Sequence, residues 1–130
     1  MQITYHIAPD VKELVERIVS KLGFNHIDIK EIYCYRSTGS TSRRTVARIH
    51  SLGKLWQRAL NEPPAYLIEV ISERYDRLKK EDKEKVLIHE LLHIPRGFGG
   101  GFKPHKGNIT ERKIESLHGR LTGRIRQNSR

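Results

Sequence analysis

One pentapeptide constrains this 130-residue chain more than any other feature: His89-Glu90-Leu91-Leu92-His93, inside the apolar run from Val86 to Pro95. On a helix at ~100° per residue, placing His89 at zero puts His93 at ~40° and Glu90 at ~100°. Both imidazoles and the carboxylate then share one face. Leu87, Ile88, Leu91 and Leu92 fall on the opposite arc, roughly 160–300°, and would bury against strands. Two histidines at i, i+4 can bind one Zn²⁺ at ~2.0–2.1 Å, with the intervening Glu90 set to act on water beside the metal. The plain alternative is a salt-bridged surface helix that happens to carry two histidines. The bare pattern should arise by chance in well under ~1% of chains this long, and the correctly placed apolar arc makes it rarer still. The metal reading prevails.

A catalytic zinc needs a third protein ligand and an open position. A metzincin would carry Gly at 96 and His at 99, where this chain has Arg96 and Gly99. A gluzincin would close the site with a Glu on a following helix, for which Glu111 and Glu115 are candidates. His105 is the other candidate, with eleven residues between it and His93. The intervening Pro95–Pro104 segment is rich in helix breakers and can fold the chain back over the metal. This favours His105, since charge compensation in a basic helix already accounts for both glutamates. His118, on the expected last helix, is either an oxyanion stabiliser or an ordinary surface histidine. No spacing recruits His6, His26 or His50.

Charge adds a second theme. The formal net charge is +10, and it is unevenly spread. Residues 36–58 hold six basic groups and no acid, and residues 103–130 hold eight against Glu111 and Glu115. Such blocks attract polyanions. Arg43, Arg44 and Arg48 with Arg120, Arg124 and Arg126 are therefore candidates for weak, non-specific DNA or RNA contact. A solvated, solubilising surface is the rival explanation, and no aromatic residues interleave with either block. No apolar run approaches the ~20 residues of a membrane span, and residues 1–6 lack signal-peptide character. A single cysteine, Cys34, excludes a disulfide framework or a multi-Cys zinc site. The expectation is a cytoplasmic protein without membrane contact, with Cys34 buried and inert.

Periodicity predicts a helix over 10–22, a strand over 27–35, a loop over 37–42 and a strand over 46–50. A helical turn follows around Leu55 and Trp56, then a strand over 66–71, a helix over 80–94 and a bend over 97–101. A basic helix over about 108–126 and a frayed tail over 127–130 complete the chain. The expected architecture is α+β, a small mixed sheet of about three strands packed on helices, in one domain spanning 1–130.

The order of these features closely resembles the phage-type metallopeptidases, a minimal zincin group. The resemblance rests on Tyr66–Leu78 leading into His89–Pro95 and on the glycine-rich loop ending at Pro104-His105. Arg36-Ser37 and the stretch 44–60 extend it to roughly residues 25–108. It implies a zincin-like fold, His89, His93 and His105 as ligands of one Zn²⁺, and Glu90 as general base on a peptide or protein substrate. A more distant similarity to SprT-like proteases covers only the zincin core. Zincins usually use the strand before the active-site helix as the cleft edge. That strand is Tyr66–Ile71 here, so Tyr66, Ile68 and Val70 are expected to line an added substrate strand. Two rival functions are weighed. A metal-dependent nuclease of the three-histidine type lacks a Glu after the first His and has a shorter gap to the third. A non-catalytic nucleic-acid-binding domain with a structural zinc would favour Cys ligands. Oligomeric state is not legible.

Overall fold

A computed structural model describes residues 2–125. Helix α1 (Pro9–Leu22) opens with proline in its first turn, where the missing N–H costs nothing, and closes on Gly23 in the left-handed region at φ 67°. It buries the stripe Val11, Val15, Ile18 and Leu22, as its spacing predicts. The strand expected over 27–35 begins later and ends later. Asp28 accepts a hydrogen bond from the Lys30 N–H and caps a single 3-10 turn, Ile29–Glu31, before β2 (Ile32–Thr38) begins. Strands β3 (Ala47–Ser51) and β4 (Tyr66–Ile71) flank α2 (Lys54–Leu60), a full helix where only a turn is predicted. A short α3 (Ser72–Tyr75) leads to α4 (Lys80–Leu92), and α5 (Glu111–Thr122) follows the glycine-rich loop.

The sheet has four strands rather than three, in the order β1-β2-β4-β3. The extra one, β1 (Thr4–Ile7), pairs antiparallel with β2, matching Thr4 to Thr38 and Ile7 to Tyr35. All four of its residues are exposed, so no burial alternation marks it in the sequence. β2 and β4 run parallel, whereas β3 pairs antiparallel with β4, Ile49 opposite Ile68. β4 is thus interior, bonded on both sides, and the strand adjacent to it, β3, forms the edge.

Helices α1, α4 and α5 pack against one another, with α1 against β2 and α4 against β3. The core between the layers holds Ile18, Ile32, Ile68, Val70, Leu87 and Ile88, each at most 1% exposed. Burying one such side chain contributes about 1.5–3 kcal/mol. The helices also share a buried polar junction. The Glu84 carboxylate, 2% exposed, accepts from Arg17 of α1 at 2.7 Å and pairs with His118 of α5 at 2.8 Å. Three helices are thereby pinned at one point.

Helix α5 is shorter than predicted. Thr110 caps its start by accepting from the Lys113 N–H, and Gly123 ends it at φ 80°. Arg126 and the predicted tail lie outside the described residues.

Candidate metal centre

The His-Glu-x-x-His segment occupies the last turn of α4. Leu87, Ile88, Leu91 and Leu92 are all buried, on the arc their spacing assigns. The helix stops at Leu92, two residues short of prediction, with His93 as its cap. Pro95 lacks an N–H and cannot continue the ladder. The chain turns instead, with the Ile94 N–H donating to the Leu91 carbonyl at 3.1 Å.

The glycine-rich loop then returns alongside the helix end, and three tethers hold it. The Lys103 N–H donates to the His93 carbonyl at 2.8 Å. Tyr66 Oη donates to the Gly101 carbonyl (2.7 Å) and accepts from the Gly100 N–H (3.0 Å). Gln57 Nε2 donates to the Gly99 carbonyl (3.0 Å) and to the Leu52 carbonyl (2.7 Å). Gly100 is required here. Its φ is +103°, and a Cβ would sit 2.7 Å from the Leu52 carbonyl oxygen.

This return brings His105 to the other two histidines. One ring nitrogen from each of His89, His93 and His105 lies within 4.8 Å of the others. Ring centroids are 4.5–5.3 Å apart, and Nε2 of His89 and His105 approach to 2.8 Å. A tetrahedral site with ~2.05 Å bonds has edges of roughly 3.3 Å, so a small ring movement accommodates an ion. The donor set fits zinc, which favours neutral imidazole. His93 is oriented for it. Its Nδ1 lies 3.0 Å from the Lys103 carbonyl oxygen, which can only accept. Nδ1 therefore carries a proton, and in the neutral ring this leaves the Nε2 lone pair for a metal. Burial pushes His89 down to about 4, with His105 and His93 adding to the shift, so this ring stays neutral and ready to ligate at pH 7.

Glu90 lies beside the cluster at 9% exposure, and burial pushes its carboxyl up to about 7. Spacing alone places it on the polar face; the structure makes that face a wall. A cleft of about 500 Å³ runs past it, lined by His89, Glu90, Glu111 and Glu115 with Arg44, Val46 and Ala47 opposite. The two glutamates thus reach the cleft but lie outside the three-histidine cluster, and Glu115 pairs with Lys85 at 2.8 Å.

Two expectations are corrected. Tyr66, Ile68 and Val70 cannot line an added substrate strand: β4 is paired on both sides, and the three side chains are at most 1% exposed. Tyr66 acts on the loop instead. His118 is no oxyanion stabiliser and no surface residue either. It is 2% exposed, with Nε2 on Glu84 and Nδ1 3.4 Å from Arg124 Nη2. Leu117 and Leu121, the apolar neighbours that bury this side of α5, carry His118 inward. Sequence reading missed Gln57 and the wall residues Val46 and Ala47. The glycine run signals a constrained loop, but nothing local names its anchors.

An α+β protein in which three histidines that could hold a metal ion meet beside the end of a core helix belongs to a recognisable class, and the family comparison agrees. The family model described as "Putative phage metallopeptidase" matches residues 3–117. The chain belongs to this family, and its general class is that of a peptidase-type hydrolase. The match extends past the stretch 25–108 on both sides, taking in β1, α1 and most of α5. Curated proteins and solved structures offer no match.

Proposed function

We propose that the chain is a zinc-dependent endopeptidase with a zincin-like fold, its residues forming a single catalytic domain. The convergence of His89, His93 and His105 beside the buried Glu90 carries this reading. The three imidazoles hold one Zn²⁺ per chain. Zinc in such a site supplies Lewis acidity, polarising the scissile carbonyl and making water acidic near pH 7. Glu90 accepts the proton from the attacking water and delivers it to the leaving amine. The buried setting suits this task, since a carboxyl poised near neutrality can both take and give a proton. The Lys103 carbonyl keeps His93 in the ligating tautomer.

An extended substrate adds along the free edge of β3. This strand borders the sheet, and Ala47 at its start lines the same cleft as His89 and Glu90. Backbone pairing there gives affinity with little demand on sequence.

The test is Glu90→Gln, measured for metal content and for cleavage of an unstructured protein such as casein. The amide is nearly isosteric but cannot take a proton. The expected result is about one zinc per chain in both proteins, with turnover falling by roughly 10²-fold or more in the variant. Unchanged turnover would remove Glu90 from the chemistry, and a protein that takes up no zinc would overturn the whole reading.

A further inference from the structure

On the opposite side of the α4 terminus from the cleft residues lies a second concavity, of about 250 Å³. Its cations come from three separate segments. Arg96 and Lys103 stand at the two ends of the glycine-rich loop, and Lys113 is on the first turns of α5. Asn25 and His26, from the turn after α1, complete the polar wall, and among the described residues no acidic one lines it. Among the described residues, none of the three cations takes part in an ion pair.

We infer that this concavity is a phosphate-binding site, with Arg96, Lys103 and Lys113 taking the oxygens of a phosphate group. The phosphate is either free or carried by a nucleic-acid backbone. Three like charges gathered without a counter-charge repel one another, and an anion between them relieves that repulsion. The floor is apolar, formed by Leu92, Ile94 and Leu117, which strengthens each charge–charge interaction. Arg96 offers the planar fork that grips phosphate by two parallel bonds, while the two lysines act as point charges. The volume is below the ~300–1,000 Å³ of ordinary small-molecule pockets and suits one phosphate with its first ester atoms. His26 registers the local field: burial pushes its pKa below the ordinary value, and Arg96 and Lys103 push it the same way. Residue 103 also belongs to the metal centre through its backbone, which is bonded twice to His93. An anion on the Lys103 side chain therefore steadies the residue that orients a ligand.

The site is tested on the full chain by following the His26 and Arg96 side-chain NMR signals. Inorganic phosphate and a short oligothymidylate are titrated separately, against sodium chloride at matched ionic strength. Saturable shifts are expected, and Arg96→Ala combined with Lys113→Ala should weaken binding about tenfold or more with zinc content unchanged. Saturation by inorganic phosphate alone identifies a free phosphate as the ligand. Saturation by the oligonucleotide, at lower concentration than phosphate or without it, identifies a backbone phosphate. Shifts that merely track chloride, or binding as tight in the double variant, would overturn the inference.

Discussion

His105 joins the cluster from a stretch of chain with no secondary-structure period, so its role is best separated from that of the nearby glutamates one side chain at a time. Its carbonyl accepts from the Asn108 and Ile109 N–H groups, at 3.1 and 3.0 Å, which sets the turn that presents the ring. His105→Ala should weaken zinc binding by about 100-fold or more, beyond what loss of an outer partner costs. Glu111→Ala should leave it within a few-fold. A competition titration against a chelator reads both, and the reverse order would place a carboxylate in the ligand set. Cys34 illustrates the other kind of residue-level outcome. Flanked by tyrosines in β2, it is 5% exposed, and burial pushes its thiol up to about 12. An inert thiol is what its alternation predicts.

At the scale of elements, the loop and the helix packing each make a prediction. Tyr66→Phe deletes the hydroxyl that holds both Gly100 and Gly101. It should cost about 1 kcal/mol of stability and weaken zinc binding as well, because that loop carries His105. Loss of stability with unaltered zinc affinity would show that the loop is not positioned through β4. The Glu84 junction gives a pH dependence. Burial raises this carboxyl, but the hydrogen bonds from His118 and Arg17 outweigh that effect and hold it below its ordinary value of 4.5. A depressed folded value means the unfolded chain binds the proton more tightly. The junction's stabilisation is therefore complete above about pH 4.5 and is lost as pH falls through the lower folded value. Glu84→Gln should be less stable than the parent by about 1–3 kcal/mol at pH 6, and the gap should narrow as pH falls through the folded value below 4.5. Thermal melts across that range check it, and a gap independent of pH would assign the effect to packing rather than charge.

For the molecule as a whole, the charge of +10 resolves into groups with different roles. Arg44 stands on the cleft wall, and Arg48 is exposed on β3, 3.9 Å from Glu69. Arg124 is exposed but turns towards His118, and Arg120 is only partly exposed. No described helix is long and apolar enough to cross a membrane. If the exposed arginines act as a polyanion surface, neutralising four to six phosphates would give a log–log salt slope of roughly −4 to −5 on duplex DNA. Arg43→Glu with Arg48→Glu should flatten that slope by about 0.9 for each phosphate no longer neutralised, leaving zinc content unchanged. Isotherms at two salt concentrations measure it; no binding at either would reduce the charge to a solubilising role.

Local rules made much of this protein legible from its residues. The helix of His89 and His93, its buried leucine arc, α1 with its proline start and glycine stop, and strands β3 and β4 all follow from spacing between near neighbours. So does the bend before His105, because four glycines with flanking prolines break a helix. What spacing could not reach was decided by contacts between distant segments. β1 exists because β2 offers it an edge. Which strand borders the cleft depends on pairing order, and β3, inserted as the outer neighbour of β4, took the place that sequence adjacency assigns to β4. Tyr66 anchors a loop 35 residues away, and His118 was drawn inward by a carboxylate 34 residues before it. The same holds for Glu90. Its position on the helix is set by spacing, but its exclusion from water, and hence its proton affinity, comes from the tertiary walls built around it.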